Sequence, residues 1–176
     1  MKLSDFDYDL PDSFIAQEPV TPRDHSRLMV LNRNDESIQH AHFYDLPQYL
    51  EKGDALVVNN TKVIPARIYA RCDHPGGAQV EILLLDTISQ NRYRVMARPG
   101  KKLRVGRKIY LDENLSAQVE DIETDGCRIL SFSIDANDLS AWLASYGHMP
   151  LPPYIKNTEV ADERYQTIYA NEPGSR

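Results

Sequence analysis

Between Arg27 and Phe43 two apolar-alternating runs, RLMVL and SIQHAHF, flank the polar segment Asn32-Arg33-Asn34-Asp35. That pattern predicts a β-hairpin. DLPQYLEKG then reads as a short helix, with Gly53 suited to the left-handed position after its end. DALVVNN has a continuous apolar middle, which predicts a strand buried on both faces, as in an α/β core. From Ala66 the texture changes. ARIYARC, AQVEILLL, RYRVMAR, RKIYL, SAQVEDI and CRILSFSI alternate with a period of two. Turn formers at 75–77, 89–91, 99–100, 112–114 and 124–126 break them. Short strands at regular spacing predict a small antiparallel barrel. DLSAWLASYGH follows as a helix, with Leu139, Trp142, Leu143 and Tyr146 on one face. Asn137 or Asp138 is placed to cap its start and Gly147 its end.

The two ends are less regular. Residues 1–24 hold Pro11, Pro19 and Pro22, with Asp12 or Ser13 placed to cap a short helix over 14–16. Pro150, Pro152 and Pro153 impose extended chain, ADERYQTIYAN reads as a short helix, and Pro-Gly-Ser-Arg reads as a closing turn. The fold class predicted is therefore an α/β body, an incomplete α/β barrel-like domain, formed by 1–65 and 147–176. A small antiparallel β-barrel domain over 66–146 is inserted into it. The apolar faces of 27–60 lack a partner layer, so the chain reads as interrupted.

The 176 residues suffice for one domain or two small ones. With 41% hydrophobic and 26% charged residues, wholesale disorder is excluded. No apolar run reaches the ~18 residues of a membrane span, and the first residues lack the apolar stretch of a secretory signal. A cytoplasmic location is expected. Cys72 and Cys127 have no metal-ligand spacing and read as reduced, partly buried thiols. His40 and His42 share a strand face and read as surface or core residues. No metal site is expected.

Charge alters the picture more. The net charge is −6, yet residues 92–108 hold Arg92, Arg94, Arg98, Lys101, Lys102, Arg104, Arg107 and Lys108 with no acid. The remaining 12 basic residues face 26 acidic ones. A small cationic face on an acidic protein selects an anion while the rest repels it. Pro99-Gly100 would form its hairpin tip, and a solvated face is the plainer reading.

Nucleotide fingerprints such as G-x-G-x-x-G and G-x-x-x-x-G-K-[ST] are absent. Arg23-Asp24-His25-Ser26-Arg27 offers two guanidiniums around a carboxylate, suited to gripping a carboxylate or phosphate, or to a surface turn. In Asn59-Asn60-Thr61-Lys62-Val63-Ile64-Pro65-Ala66-Arg67 an apolar run meets amides, hydroxyl, amine and guanidinium. Ligands collect at the carboxyl ends of strands in α/β folds, although Asn and Thr also favour plain turns. Glu81 lies within VEILLL, where a carboxylate must be paired, functional or turned outward. Tyr154, in the extended strip Pro150–Ile155, and Tyr165, four residues before Tyr169, could stack on bases or pack on a core.

FDYDLPDSFIAQEPVTPRDHSRL, VVNNTKVIPARIYAR, GGAQVEILLL, ARPGKKLRVG, MPLPPYIKN and ERYQTIYANEPGS occur in this order. Together they resemble the S-adenosylmethionine:tRNA ribosyltransferase-isomerase family of queuosine biosynthesis, in register along nearly the whole chain. Members are about twice this long and continue past Gly174-Ser175, so the chain looks like an N-terminal half. The resemblance implies an α/β domain with an inserted β-barrel. It implies transfer of the ribosyl part of S-adenosylmethionine to 7-aminomethyl-7-deazaguanine at a tRNA wobble position. Adenine and methionine leave, and epoxyqueuosine results. S-adenosylmethionine is then a substrate, no further cofactor is needed, and a monomer is expected.

That chemistry requires a base for the ribose 5′ proton beside the sulfonium and an acid for departing adenine. Under the resemblance Asp24 and Glu81 are the acid/base candidates. Asn59, Asn60, Thr61, Lys62 and Arg67 would surround the donor, Arg23 and Arg27 would hold a carboxylate or phosphate, and Tyr154 and Tyr165 would contact substrate. Arg98, Lys101 and Lys102 would bear on tRNA. A non-catalytic tRNA-binding barrel and an inactive fragment are the alternative readings.

Overall fold

The alternation over 66–132 closes into a barrel. In the computed structural model, which describes residues 1–157 and 160–175, six antiparallel strands form it. Two short strands precede it as a hairpin, β1 (Arg27–Leu31) and β2 (Ile38–His42), and β3 spans Thr61–Val63. The barrel strands are β4 (Arg67–Cys72), β5 (Gln79–Ser89), β6 (Arg92–Arg98), β7 (Lys108–Tyr110), β8 (Ser116–Ile122) and β9 (Arg128–Phe132). Their order is β4-β5-β6-β9-β8-β7, closed by β4 on β7. The turn formers singled out along the sequence fall at the strand ends and in the loops between these strands.

Period two sends every second side chain inward. Ile68, Ala70 and Cys72 of β4 meet Val80, Ile82 and Leu84 of β5 there. Tyr93 packs edge to face on Phe132, with ring centroids 5.4 Å apart. Ile68, Ile82, Leu84, Leu103, Ile109 and Leu130 are at most 1% exposed. Each contributes about 1.5–3 kcal/mol through burial. Both cysteines are free and buried, and burial pushes both thiols up.

Helix α1 (Ala136–Tyr146) adds Leu139 and Leu143 to this core. Its cap is Asp135, not Asn137 or Asp138: the Asp135 carboxylate accepts from the N–H groups of both, at 2.9 and 3.1 Å. Trp142 is half-buried and its indole donates to Asp112 at 2.5 Å. Tyr146 lies in the last turn beside Trp142, outside the core.

The predicted α/β body is not found. Over 1–65 and 147–175 the described residues carry no α-helix, only 3₁₀ turns such as Phe43–Tyr49 and Asp162–Tyr165. The expected strand over 54–60 is absent, and Leu56, Val57 and Val58 are exposed. A strand buried on both faces needs a covering layer on each side, and a continuous apolar run alone does not supply one. The closing Pro-Gly-Ser is also not a turn. It lies in β10 (Glu172–Ser175), which pairs in parallel with β3. Gly53 has φ +111° as expected, but in a turn beyond the 3₁₀ segment.

Two compact units result: Met1–Val58 with Pro152–Arg164, and Asn59–Leu151 with Tyr165–Arg176. In the first, the predicted hairpin forms with Arg27 opposite His42 and Leu31 opposite Ile38. His42 stacks on Tyr44 at 5.1 Å, and His25 meets the same ring edge-on at 5.2 Å.

Candidate functional site

Three of the sequence-predicted residues, Glu81, Arg98 and Lys101, line one groove of about 640 Å³ on the outer face of β5 and β6. The pleat places them. Residues directly opposite in an antiparallel pair share a face. Tyr69, Glu81 and Arg98 form one such row across β4, β5 and β6, and Leu83 with Met96 forms the next. The floor is therefore apolar, with Met96 54% exposed, and the wall is charged. Glu81 thus resolves the question its sequence position raised: it is turned outward and paired.

Arg67 is the partner. Its Nε lies 3.0 Å from Glu81 Oε1, and its Nη2 donates to the Leu151 carbonyl at 3.0 Å. The Nε–H points off the carboxylate, so the contact is an ion pair without a directed hydrogen bond. Tyr69 and His148 meet edge to face at 5.1 Å on the same outer side.

The cationic run divides in two. Arg92 pairs with Glu120 at 2.6 Å. Arg94 reaches Glu123 at 2.5 Å, Asp86 at 3.3 Å and also Asp125. Arg107 forks onto Asp73, and that hydrogen bond holds the Asp73 carboxyl below its usual range. Lys108 sits over the Tyr110 ring at 5.1 Å. Among the described residues Arg98, Lys101, Lys102 and Arg104 have no carboxylate within ion-pair distance. The positive face therefore contracts to the loop 98–104 at the mouth of the groove. Linear charge counting missed this because the neutralising acids lie on other strands and turns.

That loop is fastened by Arg107 of the cationic run and by Arg128, which the sequence did not single out. Arg128 Nη2 donates to the Gly100 carbonyl at 2.7 Å, and Arg107 Nη1 donates to the Lys102 carbonyl at 2.6 Å. Lys102 Nζ lies 3.5 Å from the Gln79 carbonyl. Leu83 and Met96 were also missed, although strict alternation in RYRVMAR already turns Met96 outward.

Glu123, Asp125 and Cys127 bring ligand atoms within 4.8 Å of one another. The Arg94 guanidinium already stands against both carboxylates.

The other predicted residues lie elsewhere. Asp24 is exposed in a 3₁₀ turn. Arg23 Nη2 donates to the Glu163 and Arg164 carbonyls, and Arg164 returns a hydrogen bond to Val20. Arg27 is exposed at the start of β1. Asn59 Oδ1 accepts from the Thr61 N–H at 2.9 Å. The Asn60 carbonyl accepts from Asn171 and Glu172, which seats β10 beside Thr61 and the exposed Lys62. Tyr154 is exposed and its carbonyl accepts from Gln17. Tyr165 is half-buried, its hydroxyl enclosed without a hydrogen-bond partner among the described residues. Tyr165 and Tyr169 do not share a helix, because the 3₁₀ turn ends at Tyr165.

Comparison with known proteins gives the affiliation. A family model described as queuosine biosynthesis protein matches residues 3–176. A protein of Thermosipho melanesiensis named S-adenosylmethionine:tRNA ribosyltransferase-isomerase is 51% identical over 175 residues, 99% of this chain and 50% of its own length. Namesakes from Thermotoga maritima and Moorella thermoacetica are 50% and 46% identical, again over 99% of this chain. A crystal structure of an S-adenosylmethionine tRNA ribosyltransferase from Thermotoga maritima is 44% identical, covering 82% of this chain and 48% of that one, with a TM-score of 0.40. The chain spans about half the length of the curated relatives it matches. With the family model matched from Leu3 to Arg176, the chain belongs to the queuosine biosynthesis protein family.

Proposed function

We propose that this chain is the barrel-bearing half of an enzyme that transfers and isomerises the ribosyl group of S-adenosylmethionine. The acceptor is 7-aminomethyl-7-deazaguanine at a tRNA wobble position, the product epoxyqueuosine, and adenine and methionine are released. The observation that carries this reading is the identity of about half of all positions, along 99% of the chain, to proteins named for that activity. In this reading 1–65 and 147–176 join the remaining half of the full-length protein to complete an α/β frame around the inserted domain 66–146. The protein works as a cytoplasmic monomer, and S-adenosylmethionine is consumed as a substrate with no further cofactor.

Each step asks for a specific group. A base removes a ribose 5′ proton made acidic by the adjacent sulfonium. An acid protonates adenine as it leaves. The aminomethyl nitrogen then attacks the anomeric carbon, and epoxide closure expels methionine. Glu81 and Asp24 are the acid/base groups in this scheme. Arg67 orients the Glu81 carboxylate from 3.0 Å. Asn59, Asn60, Thr61 and Lys62 supply polar groups to the donor, alongside Arg67. Arg23 and Arg27 take a carboxylate or phosphate, Tyr154 and Tyr165 contact substrate, and Arg98, Lys101 and Lys102 meet tRNA.

The test joins this chain to the remaining half of a full-length relative and supplies S-adenosylmethionine with tRNA carrying the modified base. Adenine release is expected, with a large loss in Glu81→Gln and Lys62→Ala. Release of S-adenosylhomocysteine instead of adenine would overturn the reading.

A further inference from the structure

We propose that the outer groove of β5 and β6 receives a single unpaired RNA nucleotide, its base on Leu83 and Met96 and its phosphates on Arg98 and Lys101. This deepens, and rests on, the RNA-substrate reading above.

Four observations converge. The groove measures about 640 Å³, within the roughly 300–1,000 Å³ of small-ligand sites. Its floor is the outward-facing cross-strand pair Leu83 and Met96, and Met96 is 54% exposed. An exposed apolar surface suits the face of a base, and any base supplies such a face. Arg98 and Lys101 stand on the rim without carboxylate partners among the described residues, so their charge is available to phosphate oxygens. Glu81 lies directly opposite Arg98 in register. Its carboxylate is an acceptor, which suits a base edge that presents N–H donors, as guanine-type edges do.

This combination separates the occupant from its competitors. An inorganic anion has no use for the apolar floor. A paired duplex offers phosphates but keeps its base faces stacked inside the helix. The rim is also held in place before any ligand arrives, because Arg128 and Arg107 fix the carbonyls of Gly100 and Lys102. Pre-ordered cations bind with less entropy lost on association.

The experiment measures binding of the 176-residue chain to a hairpin RNA with an unpaired, guanine-bearing loop, and to the same stem as a blunt duplex. Met96→Ser should weaken hairpin binding about five- to fiftyfold and leave duplex binding unchanged. Met96→Leu, which keeps an apolar floor, should restore it. Arg98→Gln and Lys101→Gln should each lower the salt slope of hairpin binding by about one. Equal binding of hairpin and duplex, or wild-type hairpin affinity in Met96→Ser, would overturn the proposal. So would variants that weaken S-adenosylmethionine binding while leaving RNA affinity intact. Loss of adenine release with these binding results preserved would sink the catalytic reading and leave this one standing.

Discussion

Gly147 packs so closely on Pro65 that a Cβ at 147 would lie 2.1 Å from the Pro65 carbonyl oxygen. The backbone there has φ −71°, so space, and not a left-handed conformation, demands glycine. The contact sets the segments entering and leaving the barrel side by side. Arg67 and His148 then exchange two backbone hydrogen bonds, at 3.1 and 2.8 Å. Gly147→Ala should cost about 1–3 kcal/mol, the usual range for overpacking, read by denaturant unfolding. Gly76→Ala, whose Cβ would meet His74 at an ordinary 3.5 Å, should be close to neutral.

Asp112 links the β7–β8 turn to α1. Burial pushes its carboxyl up, but hydrogen bonds from Asn114, Trp142 and Leu115 outweigh burial and hold it below its ordinary 3.8. A carboxyl lowered by folding contributes stability that is complete above the unfolded value and is lost as pH falls through the folded one. Asp112→Asn should therefore be less stable than wild type near neutral pH. The gap should close below about pH 4, as followed by urea unfolding across a pH series.

Arg94 stands among Asp86, Glu123 and Asp125, and its own proton is held more tightly than usual by them, Glu123 first. Arg94→Met removes a cation these acids share and leaves like charges facing each other. The thermal midpoint should fall by a few degrees, and added salt should recover part of the loss by screening.

The division of the basic run makes a further prediction for RNA binding. Arg104→Gln removes a cation with no acid beside it among the described residues and should reduce the salt slope by about one. Arg92→Gln removes a cation already satisfied by Glu120 at 2.6 Å and should leave the slope unchanged. Equal effects from the two would refute the division.

The barrel was legible because its signal is local. Ile68, Ala70 and Cys72 alternate with exposed or half-buried neighbours, and such a period survives whatever the strand pairs with. Helix α1 was legible for the same reason, with Leu139 and Leu143 four residues apart, although its cap was misread because Asp135 takes that place ahead of Asn137 and Asp138. What failed depends on partners remote in sequence. The parallel pairing of β3 with β10 joins residues more than a hundred positions apart, and nothing in Glu172-Pro173-Gly174-Ser175 announces a strand. Val57 has strand character but among the described residues no strand beside it. At the candidate site the charged members were legible as residue types. The platform of Leu83 and Met96 was not, because its halves lie on two strands and only their pairing register sets Leu83 opposite Met96.

Strand β6 carries a quenched guanidinium near one end and a live one at the other, about 14 Å apart from Arg94 to Arg98. A polyanion drifting toward this barrel feels more than a pull; it feels a torque. Such a polyanion would be turned toward the 98–104 loop, since the cations of the far rim already face carboxylates.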